Sequence, residues 1–462
     1  MNTISTLLDN RTDQSETTSQ GLGWRAKKRV LASAFAGTTI EWYDFYLYGT
    51  AAALIFNVQF FPSGSELGNT LASFATLAVG FLARPLGGII AGHLGDRIGR
   101  KALLVVSLVV MGAASTMIGL LPNFAAIGWW APASLVGLRI VQGLSAGAEW
   151  GGSALLSVEH APAHSRGFFG SFTQIGSAAG MLLATGAFFL VQLLTTDEQF
   201  ANFGWRIPFI ASAVLVALGL WIRLGVTDAP EFQELKDAGN VADKPIWTVV
   251  TQHQRALLVT ICMRLAQTSI YYLITVYMLS YLIAQRGDDS AGVIAVMIAS
   301  AVSLFSGPAW GWLSDKVGRR PVTVFGCVAT AVFGWIFFAY LDAGPLVFLP
   351  VIVIIGMSLA HDAVYGPQAA WFAEQFPLAV RYSGVNMGYQ IGTVIGGGIM
   401  PMIATLLYAA GGGTPWLICG YLTLLCTISL IAALAARDPA RAAARQYRLE
   451  SQAPSVQTKE TL

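Results

Sequence analysis

Gly92-His93-Leu94-Gly95-Asp96-Arg97-Ile98-Gly99-Arg100-Lys101 and Gly311-Trp312-Leu313-Ser314-Asp315-Lys316-Val317-Gly318-Arg319-Arg320 are two versions of one stretch. In each, a Gly leads to an Asp four residues on, then to a second Gly, then to Arg and another basic residue. The offset is constant, since 311 − 92 and 319 − 100 both give 219. A second echo follows each copy: Glu159-x2-Pro162-x3-Arg166 and Glu374-x2-Pro377-x3-Arg381, where 374 − 159 gives 215. Two motifs recurring in the same order imply two homologous halves that carry the same charged knot at the same depth.

Around these knots the chain is apolar. Hydrophobic residues make up 55% and charged residues 11% of 462 positions, and the mean hydropathy is +0.60. Ordinary soluble domains are about 25% charged, so lipid takes the place of water around this chain. The net charge of +2 carries no message, whereas the placement of the charges does. The cysteines Cys262, Cys327, Cys419 and Cys426 all fall inside apolar runs without CxxC spacing, which reads as small core residues. His160 and His164 have i,i+4 spacing, but Pro162 lies between them and no third ligand accompanies them, so no metal is implied. The polar N-terminal stretch lacks the apolar core of a signal peptide and reads as a retained cytoplasmic tail.

A membrane-spanning helix needs about 20 mostly apolar residues. Twelve runs reach that length: 30–56, 70–92, 101–121, 131–157, 167–194, 206–226, 255–284, 291–313, 321–341, 346–373, 383–410 and 415–436. An all-α membrane protein follows, with two six-helix bundles at 30–226 and 255–436. A polar linker at 227–254 joins them, and tails at 1–29 and 437–462 flank them. Basic residues set the orientation. With the N-terminus inside, the N-tail, both knots, Arg166, Arg223, Lys236, Lys244, Arg255, Arg381 and the C-tail arginines all lie on the inner side, against Arg206 and Arg286 outside. Both termini are therefore expected in the cytoplasm of a multi-pass protein of a bacterial inner membrane.

The repeated G-x-L-x-D-x-x-G-R-[RK] loop, placed between runs two and three and again between eight and nine, resembles the signature of the major facilitator superfamily. The Glu-x6-Arg elements resemble the partners of that loop. More narrowly, Gly37-Thr38-Thr39-Ile40-Glu41-Trp42-Tyr43-Asp44-Phe45-Tyr46-Leu47-Tyr48-Gly49 is similar to the metabolite:proton symporters, shikimate-type carriers above all. Arg84-Pro85-Leu86-Gly87-Gly88 and Gly204-Trp205-Arg206-Ile207-Pro208-Phe209 are similar to the same family. The resemblance implies a secondary active transporter, not an enzyme, with no cofactor and a functional monomer. It implies a latch on the inner side built from Arg84, Asp96, Arg97, Arg100, Glu159, Arg166, Asp315, Arg319, Glu374 and Arg381, with a plain topology determinant as the alternative reading of the knots. Such surface pairs are individually worth about 0–1 kcal/mol, which suits contacts that must open and close.

Charges inside the bilayer cost at least about 2.5–3.5 kcal/mol each on insertion scales, so each is a functional candidate. Glu41 and Asp44 lie three apart on one face of the first run. Arg139, Gln142, Ala146 and Glu149 follow one side of the fourth, while Gly143, Gly147 and Gly151 form a small-residue stripe for close packing. Burial favours a neutral carboxyl and a neighbouring guanidinium favours the ionised form. Asp44, with Arg139 as charge partner, is therefore the expected proton carrier, with Glu41 as competitor and a fixed structural pair as the alternative. In the second half Arg264, Gln267, Thr268, Tyr271 and Thr275 share a face of the seventh run. Ser358, Asp362 and Tyr365 with His361 come from the tenth, and Asn386, Tyr389, Gln390 and Thr393 from the eleventh. With Gln174 these define a cavity in which Arg264 is the candidate anchor for a carboxylate; a structural Arg264–Asp362 pair is the alternative. His361 reads equally as a satisfied buried histidine or a proton relay. Arg84, before Pro85, is expected near the inner end of its run, snorkelling to headgroups or joining the latch.

The function expected is proton-driven uptake of a small organic acid such as shikimate. Alternatives are uptake of α-ketoglutarate or another dicarboxylate, of an aromatic acid, or of proline or betaine; proton-driven export; and ligand sensing without flux. No G-x4-G-K-[ST] nucleotide motif is present, and no soluble basic domain suggests a nucleic-acid partner. The partners expected are substrate, protons and the lipid bilayer.

Overall fold

The structure is a computed structural model that describes residues 24–61, 65–98, 100–159, 161–224, 245–288 and 290–439; the side chains of 24–30, 33, 66, 91–98, 100–104, 156, 163, 222–224 and 379 lie outside the description. Every regular element among the described residues is helical. Twelve long helical rods follow one another: α1 (24–59), α2 (Glu66–Ile98), α3 (Arg100–Leu120), α4 (130–159), α5 (Arg166–Leu194), α6 (Arg206–Leu224), α7 (Gln254–Arg286), α8 (Ser290–Val317), α9 (Arg319–Ala343), α10 (Leu346–Gln375), α11 (Arg381–Ala410) and α12 (Trp416–Ala435). Eight of these are long and apolar enough by themselves to cross a bilayer, and α6 makes a ninth with the bent segment before it. Of the other three, α1 carries Glu41 and Asp44, α4 is interrupted by a turn at Ala148–Glu149, and α3 contains the apolar stretch Val105–Leu120.

Packing repeats with the sequence. α1 lies against α5, α2 against α4 and α3 against α6; α7 lies against α11, α8 against α10 and α9 against α12. The two halves meet where α5 packs on α8 and α2 on α11, and these two contacts exchange under the same relation of six helices. The irregularities repeat as well. π-helical turns occupy Ala52–Phe56 in α1 and Leu273–Tyr277 in α7, and turns break α4 at Ala148–Glu149 and α10 at Gly366–Pro367. Such local departures from the α-helical ladder are frequent at functional sites.

Small residues let these helices approach. A Cβ at Gly143 or Gly147 would meet the backbone of α2 at Gly80 and Arg84, and one at Gly151 would lie 3.0 Å from the Asn386 side chain on α11. The stripe is a packing surface, since tight helix contact in lipid relies on such residues. Gly318 turns the chain from α8 into α9 with φ of 101°, a conformation that a side chain strongly disfavours. The outward faces carry exposed Leu82, Val106, Trp221, Phe305 and Val332, as lipid contact requires. The helix of α1 begins at Trp24, inside the stretch read as tail, and Pro245–Gln252 is helical inside the stretch read as linker.

Candidate functional site

Two clusters of wholly buried polar groups lie where the halves meet. In the first, Glu41 on α1 and Arg84 on α2 form an ion pair at 2.7 Å with neither side chain exposed. The same guanidinium donates from Nε to Gln390 Oε1 on α11 at 2.8 Å, so Arg84 ties the two halves together. It also lies over the rings of Trp42 and Phe45 at 5.2 and 4.7 Å, a favourable cation–π arrangement. This corrects the expected place of Arg84. The helix continues to Ile98, past the end of the apolar run, so Arg84 stands well inside the rod with its head buried against Glu41 and Gln390.

Asp44 and Arg139 are also wholly buried, but they form no ion pair. Asp44 accepts a hydrogen bond from Ser212 on α6 at 2.8 Å through Oδ1, and among the described residues its Oδ2 has no hydrogen-bond partner. Arg139 donates to Gln142 at 3.1 Å, and Gln142 donates to Ser115 on α3 at 2.6 Å. The guanidinium is otherwise sandwiched by Phe45 and Tyr48, at 4.2 and 4.1 Å from their ring centres, while its Nε and Nη2 lack hydrogen-bond partners among the described residues. The charge-paired geometry expected from the sequence is thus replaced by a separated pair. Gln142 belongs to this cluster. Glu149 is buried at the turn in α4, and the next residue, Trp150, stacks on Tyr389 of α11 with ring centres 3.4 Å apart.

The second cluster belongs to the other half. Arg264 donates from Nε to Thr393 at 3.1 Å and from Nη1 to Gln368 at 2.6 Å, and lies 3.8 Å over the Tyr389 ring. It makes no ion pair with Asp362, which instead bonds His361 Nδ1 at 2.7 Å and accepts from Ser306. Gln267 meets the other nitrogen of His361, and Tyr271 and Tyr365 flank its ring. Gln174 on α5 donates to the Tyr365 carbonyl at 3.1 Å and accepts from Trp150, again joining the halves. Asn386 donates to the Gly147 carbonyl at 3.2 Å.

Several participants had no signal in the sequence. Ser212 and Ser115 are ordinary small residues of apolar helices, and only three-dimensional packing brings them to Asp44 and Gln142. Tyr272 is buried within the field of Arg84, Arg139 and Arg264 together, and its hydroxyl has no hydrogen-bond partner among the described residues. Its neighbour Tyr271 is marked by helical spacing, and both are buried in the last α-helical turn before the π turn.

At the end that carries the knots, Asp315 at the end of α8 receives the backbone N–H groups of Gly167 and Phe168, each at 2.8 Å. A carboxylate so placed satisfies unpaired donors in the first turn of α5 and complements the helix dipole. Arg319 pairs with Asp315 at 2.6 Å and with Glu374 at 3.3 Å, and Arg166 adds its charge near Glu374. Arg381 and Glu159 stand 3.9 Å apart across the halves. The side chains of Asp96, Arg97 and Arg100 lie outside the described residues.

A membrane-embedded duplicate of this design matches known proteins. The sequence profile of the Major Facilitator Superfamily aligns with residues 34–389. The chain belongs to the major facilitator superfamily. Membership makes it a transporter, not an enzyme, and agrees with the likeness of its first helix to metabolite:proton symporters. A shikimate transporter of Escherichia coli K12 is 41% identical over 95% of this chain and 100% of its own length. A proline/betaine transporter of Salmonella typhimurium is 33% identical over 89% of this chain and 84% of its own. Among solved structures, a superfamily proton:xylose symporter, XylE, superposes with a TM-score of 0.71 at 16% identity, covering 89% of this chain and 95% of that one. That likeness is one of fold.

Proposed function

We propose that this superfamily member takes up a small organic acid, shikimate or a related carboxylate, together with protons, by alternating exposure of a central site between its halves. The separated pair of Asp44 and Arg139 carries the proton coupling. A buried carboxylate without a cation is stable as the neutral acid, because an ionised group there lacks compensation. Loss of its proton would draw it to the unpartnered nitrogens of Arg139. Glu41, already held by Arg84, is the less suited carrier. The partnership of Arg84 with Gln390, on the opposite half, gives the first cluster a means of sensing the approach of the halves.

The carboxylate is supported by Arg264, which lies over Tyr389 at the interface, and by the relative named as a shikimate transporter. Proline or betaine is the second reading, favoured by the relative named for those solutes. The contacts of Asp315, Arg319, Glu374, Arg166, Glu159 and Arg381 are assigned to a cytoplasmic latch. The bacterial inner membrane is the assigned location, with both termini in the cytoplasm, and the monomer is the working unit. The experiment is uptake into proteoliposomes under an imposed inward proton gradient, with labelled shikimate, dicarboxylates, proline and betaine, each with and without a protonophore. Protonophore-sensitive accumulation of shikimate is expected. Accumulation of another solute would move the substrate assignment, and ligand binding without flux would replace transport by sensing.

A further inference from the structure

His361 ends a π-helical turn, Gly356–His361, and both of its ring nitrogens are engaged. Nδ1 lies 2.7 Å from Asp362 Oδ1. Nε2 lies 2.5 Å from Gln267 Nε2 on α7. An amide NH2 can only donate, so in this arrangement Nε2 is the acceptor and the ring is neutral with its hydrogen on Nδ1, donated to Asp362. The oxygen of the same amide, Gln267 Oε1, is buried without a hydrogen-bond partner among the described residues. Half a turn of that amide about its last torsion would bring the oxygen to His361 Nε2. Such a contact requires a hydrogen on Nε2. With the amide turned, the ring accepts one more proton and the orphaned oxygen gains its partner.

We infer that His361, Asp362 and Gln267 form a second proton-binding site, in the half opposite Asp44, whose occupancy is read out by rotation of the Gln267 amide. This rests on the transport reading above and adds to it a site of its own. Loading is a simple association: one proton binds Nε2, the Nδ1–H bond to Asp362 is kept, and an imidazolium–carboxylate pair replaces a neutral ring beside a carboxylate. The charged and titratable groups facing the ring are Asp362 and Tyr365 on its own helix, and Arg264 and Tyr271 from α7. From α8 Ser306 donates to Asp362, and from α9 Thr330 donates to the Ala360 carbonyl at 3.2 Å; both are neutral. The site also has a route to the first cluster. Tyr271 lies 4.8 Å from the His361 ring and 5.3 Å from that of Tyr46 on α1, and Tyr46 stacks on Trp42 beside the Arg84 guanidinium.

The test is nitrogen NMR of full-length protein labelled with 15N-histidine. The chain has 5 histidines, and the spectrum of His361→Asn identifies the resonances by their loss. Wild-type His361 is expected to show the Nδ1–H tautomer at about pH 8 and the doubly protonated ring at about pH 5. Gln267→Glu, which places an acceptor at Nε2 in either rotamer, is expected to hold the doubly protonated form at both. In liposomes, His361→Gln should lose one ionisation from the pH profile of kcat, a change that a merely structural histidine would not cause. One unchanging protonation state in both wild type and Gln267→Glu would overturn the proposal. Failure of the wild type to accumulate shikimate would sink the substrate assignment and leave the nitrogen spectra as the test of this site.

Discussion

Asp44 and Arg139, each with no exposed surface, stand apart with unpartnered atoms on both side chains. A fixed structural pair would not leave this arrangement, since separating buried opposite charges costs several kcal/mol. A carboxyl that is neutral in this conformation and ionised in another accounts for it. Asp44→Asn should therefore mimic the protonated state. Its expected phenotype is loss of uphill accumulation to the level seen with protonophore, with retained counterflow and a thermal midpoint equal to or above that of the wild type. Proteoliposome assays and a melt in detergent check both parts, and intact uphill uptake by the variant would remove Asp44 from the coupling step.

The Glu41–Arg84 pair makes the opposite prediction. Its ion pair is made at 2.7 Å with both side chains buried, so removing one partner leaves a buried charge uncompensated. Glu41→Gln and Arg84→Met should each destabilise by about 3–5 kcal/mol, and the double variant by clearly less than their sum. Denaturation of the three variants completes a double-mutant cycle; additive losses would show that the pair contributes nothing of its own.

The latch proposed for the knot-bearing end would hinge on a close approach of helix backbones. A Cβ on Gly167 would come within 2.6 Å of the Gly311 carbonyl oxygen, and α5 approaches α8 this closely because both positions lack side chains. Gly167→Val should force the helices apart. Asp315→Ala should weaken the same junction by removing both the Arg319 pair and the cap on α5, the cap alone being worth about 0.5–2 kcal/mol. Spin labels on cysteines replacing His164 and Val317 would report longer and broader distances in either variant. Unchanged distances would argue that this contact does not hold the inner side closed.

The duplication, the helix count and the character of the knots were legible because they depend on local composition and on offsets along the chain. The constant offset of 219 matches Asp315 and Arg319 to Asp96 and Arg100. Which buried charges meet was not legible. Arg84 looked terminal because its apolar run stops at 92, while the helix itself runs on to Ile98 through polar residues. The attraction of Asp44 to Arg139 was inferred from charge alone, whereas Gln142 and two aromatic rings compete for the guanidinium and Ser212 for the carboxylate. Periodicity names the face of a helix; it does not name the neighbour that the face meets.

Arg264 supplies the sharpest test of the substrate's charge. Its guanidinium is positioned by Thr393 and Gln368 and lies 3.8 Å over the Tyr389 ring, so its planar fork, and not merely its charge, is held in place. Lysine would keep the charge and lose the fork, the stacking and at least one of these hydrogen bonds. Arg264→Lys should therefore raise KM for shikimate by about tenfold, the equivalent of roughly 1.4 kcal/mol, while lowering kcat much less. The methyl ester of shikimate, which lacks the anion, should be neither accumulated nor an effective competitor in the wild type. The ester and the acid should differ less in Arg264→Lys than in the wild type, because the group that distinguishes them has been blunted. Equal competition by ester and acid in the wild type would dismiss Arg264 as a carboxylate anchor and direct attention to the unpartnered nitrogens of Arg139.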